Sequence, residues 1–345
     1  MRLEVWERRL QFKEPLTTAY ATLQERAVLF LSLEDSEGRR GFGEAAPLKP
    51  FEGVGVGEVA AALAELQRQL AAVDAPGSLE ELRWLLVALR NRSRQSHALA
   101  AVETALLDLA GQILGVPLYS LLAPVGGGRP VAVSGAIEGV SGEVAARKAA
   151  ELIAAGYGTI KVKVGVGDDL ERVAAVRSVA PGATIRLDAN GAWSLAEAKE
   201  RVGALLPFRP ALCEEPVRGL EGIKALQRQL ELPLIADESA PQDPGQLRGV
   251  GGICLRLGRC GGPLAAAAYG RAVQREGLLL YLSSTYEGPV GTAALLHLAV
   301  ALQGSGPLAP CGIGNPWFEG VEGPQPKGGY LPPPAGPGLG AAPLA

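Results

Sequence analysis

Short apolar runs separated by amphipathic segments recur along residues 159–284. The runs read TIKVKVG, IRLDANGAW, LCEEP, LIADES, ICLRLG and LLLYLSS, and most of them end in charged residues. Continuous apolar runs are typical of buried parallel strands, and each segment between them has room for a helix. From Lys163 the strand ends follow at about 25, 26, 23 and 19 residues, roughly the length of a βα unit in a (β/α)8 barrel. The pattern therefore predicts a parallel barrel.

The same rhythm extends the barrel in both directions. VAVSGA is predicted as the first strand, and Ser141 as the N-cap of the helix after it. LLLYLSS is predicted as the seventh strand, PVGTAALLHLAVAL as its helix and GPLAPCG as a short eighth strand. The chain then leaves no room for an eighth helix. We assign residues 126–314 to this barrel domain.

The first 125 residues follow a different pattern. Residues 2–10 and 26–34 alternate in part and predict an antiparallel sheet, and helical patterns follow at 58–72, 79–89 and 97–114. Strands followed by helices, without alternation, describe an α+β domain. The Pro/Gly-rich tail is expected to pack back on it, so this domain comprises residues 1–125 together with 315–345.

Composition and charge narrow the class of protein. The 345 residues are 48% apolar and 20% charged with a net charge of −3, which gives no reason to expect nucleic acid or an anionic membrane as partner. The four cysteines form no CxxC pair, and MRLEVWERRL is too charged for a signal peptide. We expect a soluble, cytoplasmic protein and leave homo-oligomerisation open.

The strand ends carry the candidate chemistry, because side chains there form the active site of a barrel. Asp188, Glu214 and Asp237 end consecutive strands, and carboxylates that converge need a cation such as Mg²⁺. Lys161 and Lys163 face the same side of their strand. A metal ion on a substrate carboxylate and a lysine base beside it are what abstraction of an α-proton requires.

These motifs, in this order, resemble the enolase superfamily and within it the muconate-lactonizing enzyme subgroup. They are GFGEAAP, ETALLDLA, KVK, LDAN, EEP, ADES and a GG after the sixth strand, and they cover nearly the whole chain. The resemblance implies an α/β fold in which an α+β capping domain from both termini closes over a (β/α)7β TIM-like barrel. It implies Mg²⁺, or alternatively Mn²⁺, held by Asp188, Glu214 and Asp237. It also makes Lys163 the base and gives Lys161 a tuning role.

One residue departs from the family pattern. Arg256 stands five residues before GG, where the family has a lysine, and an arginine stays protonated near neutral pH. Racemases and epimerases of the subgroup use two lysines on opposite faces of the α-carbon, whereas one base opposite a fixed cation suits a synthase. We therefore predict a lyase of the o-succinylbenzoate synthase type, in menaquinone biosynthesis, which eliminates water from a small-molecule carboxylate.

Three other functions remain open. An N-succinylamino acid racemase or dipeptide epimerase would need a substitute for the second lysine, and a muconate-type cycloisomerase could work with one base. A non-catalytic paralogue that binds a ligand is a remote alternative, because the acids and both lysines remain in place.

Further side chains are assigned around this centre. The expected substrate contacts are Asn190, Ser283, Ser284, Thr18 and Tyr20. Glu215 and Glu238 are expected to support the metal ligands rather than bind metal. The loops at residues 17–20 and 47–57 are expected to close over the barrel mouth and exclude water.

Overall fold

The computed structural model describes residues 1–17, 22–123, 128–314 and 317–344. The chain begins with an antiparallel sheet of three strands in the order β1 (Arg2–Thr17), β2 (Thr22–Glu34) and β3 (Arg40–Ala45). Strand β1 continues past its predicted end at residue 10, because its register with β2 shifts between Gln11 and Leu16 and then resumes. Thr17, where the loop expected at residues 17–20 begins, is therefore the last residue of this strand.

Five helices follow the sheet. They are α1 (Lys49–Glu52), α2 (Val56–Leu70), α3 (Leu79–Arg92), α4 (Ser96–Leu114) and α5 (Leu118–Leu122). Helix α4 packs directly on β3 because two glycines leave room for its backbone. A Cβ at Gly41 would lie 2.1 Å from the carbonyl oxygen of Ala105, and one at Gly43 would lie 2.0 Å from that of Ala101. The glycines of the GFGEAAP motif thus set the contact between the sheet and α4.

Helix α4 is also a candidate for a membrane-spanning helix. Within the described part of the chain it is the one helix that is long and apolar enough to cross a membrane, and 72% of its apolar window is buried inside the protein. Its apolar surface is thus covered largely by neighbouring elements of the same chain.

Seven parallel strands form the second sheet. Its strands are β5 (Gly135–Ile137), β6 (Thr159–Lys163), β7 (Thr184–Asp188), β8 (Leu212–Glu214), β9 (Leu234–Ala236), β10 (Gly252–Leu255) and β11 (Leu279–Leu282), each paired with the next. The short β4 (Val131–Ala132) precedes them, so the predicted strand VAVSGA is divided in two.

Helices lie between the parallel strands. They are α6 (Gly142–Ala154), α7 (Asp169–Val179), α8 (Leu195–Leu205), α9 (Leu220–Gln227), α10 (Leu257–Cys260), α11 (Pro263–Arg275) and α12 (Pro289–Ser305), with 3₁₀ turns at Leu206–Phe208 and Pro244–Leu247. Side-chain oxygens of Ser141, Asp168 and Ser194 accept backbone N–H groups where α6, α7 and α8 begin. Ser141 therefore caps its helix as predicted.

The predicted eighth strand closes the sheet without forming regular strand structure. Cys311 bridges Val133 beside the first strand, and Gly312 bridges Ser283 after the seventh, both in parallel. Residues 309–312 therefore complete a barrel-like ring between the two ends of the sheet.

The C-terminal tail returns to the first half of the chain. Strand β12 (Tyr330–Leu331) pairs with β4, and the backbone N–H of Leu339 donates to the carboxylate of Asp108 at 2.7 Å. The other oxygen of Asp108 accepts the N–H of Phe42 at 2.8 Å. His297 joins the same region, with Nδ1 accepting from the N–H of Tyr119 at 3.1 Å and Nε2 lying 2.9 Å from the carbonyl of Leu339.

Candidate active site

A pocket opens where the barrel strands end beneath the capping domain, with about 840 Å³ of empty space when the solvent at its open mouth is included. Its wall includes most of the residues predicted for the site: Lys161, Lys163, Asp188, Asn190, Arg256, Ser283 and Ser284. Apolar side chains of Leu48, Phe51 and Trp317 cover it. The ends of the parallel strands thus place side chains from distant parts of the sequence in one pocket.

Three buried carboxylates stand at the ends of adjacent strands, and one of them, Asp188, lines this pocket. Asp188 and Glu214 are directly paired at the ends of β7 and β8, and Asp237 follows β9. They are 5%, 0% and 0% exposed, respectively. Among the described residues, potential ligand atoms of Glu214, Asp237 and Cys254 lie within 4.8 Å of one another. Cys254 was not predicted, and its soft sulfur is a poor ligand for Mg²⁺.

Two cations hold these carboxylates in the structure. The Nζ of Lys161 lies 2.8 Å from Asp188 and 3.3 Å from Glu214. The guanidinium of Arg256 binds both oxygens of Asp237, with Nε 2.9 Å from Oδ1, and donates to the carbonyl of Ser284. Arg256 is therefore fixed in place at the side of the pocket.

The charges reinforce one another. Burial opposes the charged forms of Lys161 and Arg256, yet the neighbouring carboxylates raise the pKa of each above its usual value. Burial also opposes ionisation of Asp188, but Lys161 and Lys163 lower its pKa to about 2. Burial and the charge of Asp188 raise the pKa of Glu214 to about 7. Of the three acids, Glu214 is therefore the one whose ionisation the surroundings favour least.

The arrangement fits a divalent metal ion. Carboxylate oxygens on adjacent strand ends are the hard ligands that Mg²⁺ prefers. One further buried oxygen, Oε2 of Glu238, has no hydrogen-bond partner in the described part of the chain. Burial and the charges of Asp237 and Asp188 raise the pKa of Glu238 to about 9, as expected for an acid beside a cluster that lacks compensating charge.

Glu215 contacts a predicted metal ligand, and Asn190 contacts Glu238, the other acid expected to support the ligands. Glu215 accepts the backbone N–H of Asp237 at 2.8 Å, and Asn190 donates from Nδ2 to Glu238 at 2.9 Å. Both residues have a left-handed backbone, with φ of 39° for Glu215 and 43° for Asn190, a conformation rare for residues other than glycine. The chain turns sharply just after the strands end, which aims these side chains back into the site.

The predicted substrate contacts divide into two groups. Ser283 and Ser284 line the pocket, and the hydroxyl of Ser284 bonds to Glu287. Thr18 and Tyr20 lie outside the described residues. From the predicted loop at 47–57, Leu48 and Phe51 reach the pocket, and the ring of Phe51 lies 5.1 Å from the guanidinium of Arg256.

Two polar residues of the site were missed in the sequence. From the barrel interior, the hydroxyl of Tyr281 donates a hydrogen bond of 2.7 Å to Oε2 of Glu214. The guanidinium of Arg186 lies over the tyrosine ring, 4.5 Å from its centre. Glu138 directly follows β5 and lines the pocket. Its position after an apolar strand was the same signal that identified Asp188 and Glu214.

Comparison with known families accounts for the whole architecture. Residues 144–344 match the family described as "Enolase C-terminal domain-like", and residues 2–123 match "Mandelate racemase / muconate lactonizing enzyme, N-terminal domain". The matches confirm the predicted fold class, a capping domain with an antiparallel sheet followed by a parallel-stranded barrel.

Individual relatives resemble the chain over most of its length. An N-succinylamino acid racemase from Thermus thermophilus is 31% identical, with 99% of this chain and 94% of the relative covered. A hydrophobic dipeptide epimerase from Enterococcus faecalis is 31% identical over 85% of this chain and 84% of its own. The crystal structure of a dipeptide epimerase from Enterococcus faecalis V583, complexed with Mg and L-Leu-L-Tyr, has a TM-score of 0.87 at 26% identity, and 99% of each chain is covered.

Proposed function

Because this chain belongs to the enolase superfamily, we propose that it abstracts the proton α to the carboxylate of a small molecule, with Lys163 as the base. The observation that supports this most directly is the pocket itself. Lys163 is 8% exposed and lines the pocket beside Asp188. Among the described lining residues, the other lysine is Lys161. Lys161 is already engaged with two carboxylates.

Members of this superfamily bind Mg²⁺, in agreement with the predicted cofactor. In this chain Asp188, Glu214 and Asp237 would hold the ion, and their burial on adjacent strands supports that assignment. When bound, the ion supplies a Lewis acid for the substrate carboxylate.

The protein side chains then have separate tasks. Lys163 takes the α-proton on its Nζ and can return it, whereas Arg256 stays protonated because Asp237 binds its guanidinium. Lys161 adds positive charge on the side where the substrate carboxylate gains negative charge. Phe51 and Trp317 cover the pocket and exclude water from the proton transfer.

Two overall reactions share this first step. The relatives named above favour racemisation or epimerisation of N-acylated amino acids or dipeptides, the alternative that the sequence left open. The single free base opposite Arg256 favours elimination of water on one face, as an o-succinylbenzoate synthase performs. On balance the relatives support the first reaction more strongly than the lyase, and Arg256 is what keeps the lyase as a second candidate.

One set of assays separates the two reactions. Each enantiomer of an N-succinylamino acid and of a dipeptide is incubated with Mg²⁺ in deuterated buffer, and α-proton exchange is followed by ¹H NMR. Exchange with interconversion of stereoisomers identifies a racemase or epimerase. Conversion of the cyclohexadiene substrate of o-succinylbenzoate synthase, without exchange of the other compounds, identifies the lyase.

The base itself is tested by Lys163→Ala. Removing the proton acceptor should lower turnover by about 10²–10⁴-fold, the usual contribution of general acid–base catalysis. Lys199→Ala removes an exposed lysine from α8 and should leave turnover unchanged. Wild-type activity in the Lys163 variant would contradict the proposed role.

A further inference from the structure

Glu138 is a pocket acid that the proposed mechanism does not use. Strand β5 pairs with β6 so that Ala136 lies opposite Lys161 and Ile137 opposite Val162. The next position in this parallel register sets Glu138 beside Lys163, which in turn pairs with Asp188 on β7. Glu138 therefore extends the row of strand-end side chains by one strand, on the side away from the predicted metal ligands.

The carboxylate of Glu138 is not committed to another group. Across residues 1–17, 22–123, 128–314 and 317–344, no hydrogen bond or ion pair of its side chain is found, whereas Asp188 is bound to Lys161 at 2.8 Å. Burial raises the pKa of Glu138, and the charges of Lys163 and Lys161 oppose that effect. Its oxygens are therefore available to a ligand in the pocket.

The rest of the pocket wall offers no second free acid. Glu138 and Asp188 are the acids among its described lining residues, and the wall after β11 is formed by uncharged Ser283, Ser284 and Thr285. The aromatic side chains of Phe51, Tyr286 and Trp317 supply apolar surface. A substrate whose reacting carboxylate points toward Asp188 and Lys163 thus meets one uncommitted carboxyl group, that of Glu138.

We propose that Glu138 is a specificity residue that binds a protonated amine of the substrate and selects against a second carboxylate. This inference rests on the proposed function, since it concerns substrates of the same proton abstraction. An ammonium group can donate to the free carboxylate, while a succinyl group would bring a like charge against it. The protein therefore prefers amino-terminally free dipeptides, or amino acids with a cationic side chain, over N-succinylamino acids.

The test compares matched substrates in wild type and Glu138→Gln. The series is a dipeptide with a free amino group, its N-acetyl and N-succinyl derivatives, and N-acetyl-lysine, each with Mg²⁺. We expect kcat/KM for α-proton exchange to be at least about tenfold higher for the free dipeptide than for its N-succinyl form, the size of one charge contact. The free dipeptide against N-acetyl-lysine distinguishes a terminal amine from a side-chain amine as the group that is bound.

The variants locate that preference. Glu138→Gln should raise KM for the free dipeptide with little change in kcat. The ratio of kcat/KM between the free dipeptide and its N-succinyl form should then fall to near one, and Glu138→Asp should retain part of the preference. Glu143→Gln removes an exposed acid at the start of α6 and should keep the wild-type ratio. An equal loss for all four compounds in Glu138→Gln would show that Glu138 acts through Lys163 and would overturn the proposal.

A second measurement separates this inference from the proposed function. The rise in Tm produced by each compound reports binding without chemistry. If the wild type exchanges no compound, racemisation and epimerisation fail as the reaction, and the order of the Tm shifts still tests Glu138. A larger shift from the N-succinyl compound than from the free dipeptide would overturn the specificity role whatever the reaction is.

Discussion

Tyr281 fixes one predicted metal ligand from below. Its hydroxyl donates to Oε2 of Glu214, and the residue is 2% exposed. Hydrogen bonds to metal ligands orient them, and removing one typically costs about 10–100-fold in metal affinity. Tyr281→Phe should therefore weaken Mg²⁺ binding by about tenfold, as measured by isothermal titration calorimetry. Tyr269→Phe, whose hydroxyl bonds to the carbonyl of Pro241 outside this cluster, should bind Mg²⁺ as wild type does.

In the proposed reaction, Arg256 decides how many faces of the α-carbon carry a base. Arg256→Lys keeps a positive charge but replaces a guanidinium that binds both oxygens of Asp237 with an amine that can lose its proton. Exchange of the α-proton from the second enantiomer should then rise by about 10²-fold, the contribution of one positioned base. The exposed Arg248→Lys serves as the control. Rapid exchange of both enantiomers by the wild type would contradict the one-base arrangement.

At this scale the sequence predicted the positions of charged residues and missed two side chains that lie near them, Tyr281 and Glu138. Acids and lysines at the ends of apolar runs were recognisable because the strand period brings them to one edge. Glu138 obeyed the same rule, but its strand is only three residues long and its signal was overlooked. Tyr281 lies inside an apolar run, where its orientation toward Glu214 depends on the curvature of the sheet rather than on local pattern.

Among the elements, helix α11 depends on a contact with helix α4. A Cβ at Gly262, whose φ is 132°, would lie 2.4–2.7 Å from the carboxyl group of Glu103. That carboxylate accepts the N–H of Leu264 at 2.6 Å and pairs with Arg90. The GG motif thus allows an acid of the capping domain to bind the first turn of a barrel helix.

The substitution Gly262→Ala tests this contact. It should lower the free energy of unfolding by about 1–3 kcal/mol, the cost of a residue held in a sparsely populated backbone region, with the clash added to it. Gly203→Ala in α8, where a Cβ meets nothing within 4 Å, should instead stabilise by about 0.5–1 kcal/mol. Urea unfolding measures both changes, and equal effects of the two would contradict the contact.

Element boundaries were predictable where pattern alone decides them. Helices α2, α3 and α4 lie within a few residues of their predicted positions. The extension of β1 was not predictable from the sequence pattern. Residues after Gln11 pair with β2 through a register shift, which alternation of apolar and polar residues does not reveal. The eighth strand consists of isolated bridges for the same kind of reason, since its pairing depends on both ends of the sheet meeting.

At the scale of the whole molecule, Glu44 joins the two domains. It is the second-last residue of β3 and accepts the N–H of Gly291 at the start of α12 at 2.9 Å. Burial raises its pKa to about 7 from an ordinary value of 4.5, although the N–H groups of Gly291 and Gly288 oppose that rise. When the pKa of a carboxyl group is higher in the folded state than in the unfolded state, its contribution to stability is fully present below the unfolded-state pKa. That contribution is lost as pH rises through the folded-state pKa.

The expected effect is a pH-dependent difference between wild type and Glu44→Gln. As pH rises from about 4.5 to 7, the stability of the wild type relative to the variant should fall by on the order of 3 kcal/mol, at 1.36 kcal/mol per pKa unit. Urea unfolding at pH 5 and pH 8 measures it, and groups elsewhere cancel between the two proteins. Parallel stability profiles would mean that Glu44 keeps an ordinary pKa in the folded chain.

The bond between Asp108 and Leu339 has a consequence for synthesis. The two residues are separated by 231 positions, and nascent chains grow at about 5–20 residues per second. Helix α4 therefore leaves the ribosome on the order of 10–50 seconds before the segment that completes its pairing. Throughout that interval Asp108 lacks one partner. His297 lies 42 positions before Leu339 and lacks the carbonyl of that residue for only about 2–8 seconds. A chain whose synthesis stops before Leu339 would therefore lack both of these hydrogen bonds.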